Sequence, residues 1–156
     1  MKMLIDGEWC GSVSGKVFPV HNPATGEVVD QAPLGVEDDL RAAVEAAGEA
    51  FSDWAAKEPR VRAKILFSAA EEVRRRNTEL GALLTAEQGK PIREAVDEIN
   101  GFANILEYYY ALSAGLQGEF MDIRGYGRAT VIRRPLGTCG AIIPWNMPAI
   151  IMGWKI

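Results

Sequence analysis

The chain has 156 residues, 48% of them hydrophobic and 24% charged, with a formal net charge of −4. That balance describes a soluble globular domain large enough for a real core, and it excludes a disordered chain. The acidic excess, with no long Lys/Arg block, excludes a nucleic-acid surface. The densest basic cluster, Arg74-Arg75-Arg76, falls at the end of a helical pattern, where positive charge suits the helix dipole. Cys10 and Cys139 are far apart and His21 is the single histidine, so neither a disulfide framework nor a metal centre is expected. Met1-Lys2-Met3-Leu4-Ile5 meets Asp6 and Glu8 at once, which argues against a secretory signal. The longest apolar stretch, Cys139 to Trp154, is interrupted by Pro144, Asn146 and Pro148 and is too short for a membrane span. A reducing, cytoplasmic setting fits, with no membrane and no nucleic acid as partners.

The opening residues are strand-like. Met3-Leu4-Ile5 runs into the turn pair Asp6-Gly7, and Val17 to Val20 is a second apolar run. Asn22-Pro23-Ala24-Thr25-Gly26 forms a turn before Val28-Val29. Pro19 suits an edge strand. The period then changes. Leu40, Val44, Ala47, Phe51 and Trp54 share one face of a helix, with Glu37, Asp38 and Asp39 in its favourable first turn. A second helix follows Pro59 and aligns Val61, Ile65, Ala69 and Val73. A third begins near Asn77 or Thr78, carries Leu80, Leu83 and Leu84, and ends at Gly89. A fourth starts at Pro91 and aligns Ile92, Val96, Ile99, Phe102 and Leu106 towards Tyr109. Four such stripes must be buried against one another or against a sheet.

Strands return after Gly118. Gly125 and Gly127 mark a turn, and Arg128 to Arg134 is rich in β-branched residues. Cys139 to Ile143 is almost wholly apolar, the pattern of a parallel strand covered on both faces. Pro148 opens a helix with Ile150, Ile151 and Trp154. A buried strand followed by a helix is the opening of a doubly wound sheet, and the further strands are expected beyond Ile156.

The chemistry concentrates in Ile142-Ile143-Pro144-Trp145-Asn146-Met147-Pro148, where that strand turns into that helix. Ligands of open α/β sheets collect at such turns. Asn146 admits two roles. It can cap the helix that follows, a frequent duty of Asn in this place, or it can offer its carboxamide to a ligand. Trp145 likewise serves packing or presents a flat surface to a cofactor.

The segment Ile142 to Pro148, followed by Trp154-Lys155, resembles a motif of the aldehyde dehydrogenase superfamily. Asp6-Gly7-Glu8-Trp9, Asn22-Pro23-Ala24-Thr25-Gly26-Glu27, Glu87-Gln88-Gly89-Lys90-Pro91, Tyr109-Tyr110-Ala111 and Arg134-Pro135-Leu136-Gly137 match the same family in order. The likeness covers nearly all of the chain and well under half of a complete member. It implies the amino-terminal part of an α/β fold: edge strands, a helical layer, a subunit-pairing hairpin and the first strand of a Rossmann-like sheet. Residues 1–117 and 135–156 would be a partial cofactor-binding domain, and residues 118–134 an oligomerisation hairpin. The implied activity is oxidation of an aldehyde to the acid with NAD or NADP. Asn146 would donate to the substrate oxygen, a contact typically worth roughly 3–4 kcal/mol in the transition state. Ile142, Ile143, Pro144 and Trp145 would lie along the nicotinamide. Phe102, Met147, Ile150, Ile151 and Trp154 would line the aldehyde tunnel. The Gln-Gly-Lys-Pro junction leans towards semialdehyde-oxidising members, such as the succinate-semialdehyde group.

The family's nucleophilic cysteine and general-base glutamate are expected beyond Ile156. Cys10 sits in the opening strands and Cys139 in the buried strand, where thiols are unreactive. Lys90 is expected to be exposed or to support packing. The isolated chain should therefore lack activity, and its uncovered Ile142, Ile143, Trp145 and Trp154 should favour association. The full-length partners would be a small aldehyde and further copies of the chain, as a dimer or tetramer. The alternative is a non-catalytic fragment that acts as an assembly module with full-length subunits.

Overall fold

The computed structural model describes all residues from Met1 to Ile156. Asp6 and Gly7 both adopt positive φ, 51° and 77°, and so turn β1 (Met3–Ile5) tightly into β2 (Glu8–Cys10). β3 (Val17–His21) and β4 (Val28–Pro33) form a second antiparallel ribbon, irregular at Val20/His21. Its turn is built by Asn22. The side-chain Oδ1 accepts the Ala24 N–H at 2.9 Å, and the carbonyl accepts the Gly26 N–H at 2.7 Å. Pro19 costs nothing in this two-stranded ribbon, as expected for an edge.

The ribbons lead into α1 (Glu37–Ala56). Asp39, in its first turn, is 5% exposed. It accepts hydrogen bonds from Ser12 Oγ at 2.7 Å, Val13 N–H at 2.9 Å and Val36 N–H at 2.9 Å. These bonds, led by the Ser12 hydroxyl, hold its carboxyl below the ordinary aspartate range. The apolar stripe of α1 is not buried as the periodicity demanded. Leu40 is 66% exposed and Val44 51%. The extended residues Lys57 and Glu58 carry α2 away from α1 rather than folding it back, so α1 rests mainly on β1.

The other helices form one cluster around α4 (Ile92–Leu112), against which α2 (Pro59–Arg75), α3 (Asn77–Gln88) and α5 (Pro148–Lys155) pack. The core is Ala70, Leu84, Ala95, Ile99, Phe102, Ala103, Leu106 and Ala149. Its small residues let the helix axes approach closely. A Cβ at Gly81 would fall 2.6 Å from Val96 Cγ2, and one at Gly153 would fall 2.8 Å from Phe102 Cδ2. Arg74 Nε and Nη2 reach both oxygens of Glu107, at 3.0 and 2.7 Å, and so tie α2 to α4. Arg75 and Arg76 pair with Glu72 and Glu79 on the surface.

After a short 3-10 turn the chain forms a hairpin, β5 (Glu119–Ile123) with β6 (Gly127–Val131). Only Ala129 in it is half-buried. The strand expected over Arg128 to Arg134 thus stops at Val131.

A second correction concerns Cys139 to Ile143. The segment forms no strand, Cys139 is exposed, and Ile142 is 95% exposed. A strand is defined by the neighbour that takes up its N–H and C=O groups. The chain's three sheets are two-stranded ribbons, and none of them includes this segment.

A candidate active-site turn at the start of the last helix

α4 carries a carboxylate where its stripe calls for a hydrocarbon. Glu98 lies one turn from Ala95 and one turn from Phe102, and it is 2% exposed. A buried carboxylate is tolerated only with full partners. One oxygen accepts the N–H of Ala149, at 2.9 Å, in the first turn of α5. That N–H has no partner inside its own helix, and negative charge is favoured at a helix start. The other oxygen pairs with the Lys90 ammonium, which is itself largely covered.

Lys90 makes a second bond, from Nζ to the Asn146 carbonyl at 3.0 Å. The neighbouring carbonyl, of Trp145, accepts from Gln88 Nε2. Gln88 and Lys90 flank Gly89, which ends α3 in the left-handed conformation, φ 71°, with its N–H on the Thr85 carbonyl at 2.7 Å. Pro91 then opens α4. The Gln-Gly-Lys-Pro corner therefore presents two donors to two successive carbonyls of the Trp145-Asn146 turn. The corner is buttressed by the Asn22 turn: a Cβ at Gly89 would lie 2.9 Å from Pro23 Cγ. Thr85 Oγ1 and Gln88 Oε1 are buried here without a hydrogen-bond partner.

Asn146 itself is exposed, and its carboxamide makes no hydrogen bond within the chain. It does not cap α5. The cap position is Met147, whose carbonyl accepts the Ile151 N–H at 3.0 Å. The side-chain capping role belongs to Glu98, from another helix. An open cleft of about 920 Å³ runs between this turn and the Gln88–Lys90 corner, with His21 and Glu94 on its rim.

The residues singled out from sequence fall into two groups. Ile142, Pro144, Trp145, Asn146 and Met147 are exposed around the turn, with Ile143 half-buried; Trp145 is 85% exposed. Phe102 and Ile150 instead face the helix interface. Phe102 is in the core against Gly153, and Ile150 lies against Gly101. Ile151 is half-buried. Trp154 is half exposed and meets Tyr108 and Tyr109 edge-on, with centroids 6.3 and 5.9 Å away. Lys90 is neither exposed nor a generic packing residue, because it links the buried Glu98 to the turn.

The sequence profile of the aldehyde dehydrogenase family matches residues 9–156. The chain belongs to the aldehyde dehydrogenase family. It is 38% identical to the NADP(+) D-glyceraldehyde dehydrogenase of Picrophilus torridus, over all of this chain and 32% of that protein. The crystal structure of an aldehyde dehydrogenase from Brucella melitensis biovar abortus superposes with a TM-score of 0.94 at 33% identity, over 99% of this chain and 32% of the other. Betaine aldehyde dehydrogenase from Staphylococcus aureus, solved with NAD+, gives 0.93 at 27% identity over the same shares. The chain thus spans about a third of the length of the relatives it matches. Its hairpins, helical layer and final turn reproduce the amino-terminal part of the aldehyde dehydrogenase fold.

Sequence reasoning missed the roles of Gln88, Lys90 and Glu98. Glu98 could have been flagged, since it interrupts the apolar stripe of α4 at a core position. Nothing in the sequence spacing shows that Gln88 and Lys90 reach a turn more than fifty positions away.

Proposed function

We propose that these residues form the amino-terminal third of an enzyme that oxidises an aldehyde to its carboxylic acid with NAD or NADP. In this reading Asn146 donates its carboxamide to the substrate carbonyl oxygen as negative charge develops there. The observation that carries it is the release of Asn146 from every structural duty. Its backbone is fixed by Lys90, the helix start is served by Glu98, and the carboxamide faces solvent unpaired. A donor pre-placed in this way stabilises an oxyanion without reorganising.

The residues beside it fit a nicotinamide. Ile143, Pro144 and Trp145 line the cleft as a mainly apolar wall, and nothing in the chain covers Trp145 or the adjoining Ile142. When bound, the nicotinamide supplies the hydride acceptor. The chain's own part is to provide that wall and to hold the carboxamide at a set place. On the far side Met147, Ile151 and Trp154 present apolar surface for the aldehyde, backed by Phe102 and Ile150. A semialdehyde is the proposed substrate class, from the Gln-Gly-Lys-Pro junction. The nucleophilic thiolate and the general base lie outside residues 1–156 in this reading, so the 156-residue chain alone is inactive.

Residues 118–134 form the pairing hairpin of a dimer or tetramer, and residues 1–117 and 135–156 belong to the cofactor-binding domain. The openness of β5–β6 on both faces also supports a second role, a non-catalytic module that pairs with complete subunits. One experiment separates the two. NAD(P)H formation is followed with succinate semialdehyde, glyceraldehyde and an aminoaldehyde, using the 156-residue chain and the product of the complete open reading frame. Turnover by the longer product alone, lost on Asn146→Ala by about 10²–10³ in kcat, is the expected result. A complete product with no turnover on any of them favours the module.

A further inference from the structure

We infer that Gln88, Lys90 and Glu98 are positioning residues that set Asn146 for catalysis; this rests on the role of Asn146 proposed above. A carboxamide on an exposed turn, with no hydrogen bond of its own, can be placed only through its backbone. Three side-chain bonds converge on that backbone. Gln88 holds the Trp145 carbonyl, Lys90 holds the carbonyl of Asn146 itself, and Glu98 holds the Ala149 N–H just beyond. They bracket Asn146 on both sides and leave its side chain free.

The three residues also form one unit. Lys90 joins the buried Glu98 to the turn, so the start of α5 and the carbonyl of Asn146 are referred to a single ion pair. Glu98 is buried on α4, and Gln88 and Lys90 flank the fixed Gly89 corner. The turn is therefore registered to the rigid helical cluster, though it has no sheet to rest on in this chain. The Lys90 ammonium and the Ala149 N–H already satisfy both oxygens of Glu98. The bonds from Gln88 to Trp145 and from Lys90 to Asn146 add nothing to that and act on the turn. Displacements of about 1 Å in a reacting group can cost on the order of 10²-fold in rate.

The test is a mutant cycle in the full-length enzyme. Gln88→Met removes one donor and no charge. Lys90→Met with Glu98→Gln removes both charges while keeping an acceptor for the Ala149 N–H. Each is made in the wild-type and in the Asn146→Ala backgrounds, and kcat and the aldehyde KM are measured. A group acting through Asn146 lowers kcat by about tenfold or more in the wild type, holds KM within about twofold, and changes kcat by less than about twofold once Asn146 is alanine. Equal losses in both backgrounds, or no loss in either, overturn the inference. If the charge-free variant fails to fold, Gln88→Met decides alone. If Asn146→Ala leaves kcat unchanged, the oxyanion role falls and takes this inference with it. If Asn146→Ala costs its about 10²–10³ while the other variants match wild type, only the positioning role falls.

Discussion

Lys90→Met should destabilise the protein more than the double change Lys90→Met/Glu98→Gln. The single change removes the ammonium and strands a carboxylate whose side chain is 1% exposed, leaving it one hydrogen bond, from Ala149 N–H. Breaking a buried pair from one side typically costs about 3–5 kcal/mol, because the remaining charge has neither water nor partner. The second change neutralises that charge and keeps a carbonyl oxygen for Ala149. What remains is a lost neutral hydrogen bond or two, about 1 kcal/mol each. The double variant should therefore recover roughly 1–4 kcal/mol of the loss. Urea midpoints of wild type, single and double variants of the full-length protein measure this at neutral pH. A single variant within about 1 kcal/mol of wild type, or a double variant no more stable than the single, would refute the view that Glu98 is a desolvated charge depending on Lys90.

Other parts of the fold give further tests. Asp39 has a carboxyl held below its ordinary value of 3.8 by Ser12, Val13 and Val36, so its contribution is full above that value and lost as pH falls through the depressed one. Asp39→Asn should flatten the acid limb of a stability-against-pH curve below about pH 4, and an unchanged acid limb counts against the Asp39 corner. Gly89→Ala should cost about 1–2 kcal/mol for the left-handed backbone alone, and more because its Cβ meets Pro23; the thermal midpoint reads it. Arg74→Ala should cost only about 1 kcal/mol or less, since both partners of the Glu107 pair are more than a third exposed. On the proposed activity, Cys139→Ser should leave aldehyde turnover unchanged, and a large loss would point to a thiol role that the turn geometry does not supply.

Much of this molecule is legible in its sequence where a local rule and the tertiary environment agree. Asp6-Gly7 is a hairpin turn because two positive-φ positions suit those residues, and Gly89-Lys90-Pro91 is a helix junction for similar reasons. The α4 stripe from Ile99 through Phe102 to Leu106 forms the core with Leu84 of α3, whereas α2 turns a different face to it: Ala70 and Leu66 pack there while Val61 and Ile65 of the expected stripe lie exposed. Legibility fails where a pattern needs a partner. The α1 stripe and the Cys139–Ile143 run both carry the period of buried elements, and both lie open here. Periodicity reports what a segment needs to bury, and it is silent on whether the partner lies within the same residues. That demand is itself informative, for it marks apolar surfaces that residues 1–156 leave uncovered.

Asn146 shows the converse. Its position before a proline-led helix argues for a cap, and local rules alone cannot separate that duty from a ligand-facing one. The deciding residue, Glu98, stands 48 positions earlier and breaks its own helix's apolar stripe to reach Ala149. A charge placed in a core costs stability unless it meets a need elsewhere. Here it relieves the helix start of any call on Asn146, and through Lys90 it fixes the backbone from which that carboxamide projects. The misfit on α4 and the freedom of Asn146 are therefore one feature, and a core acidic residue facing a helix start that lacks a side-chain cap is the pattern by which such a turn can be sought in other sequences.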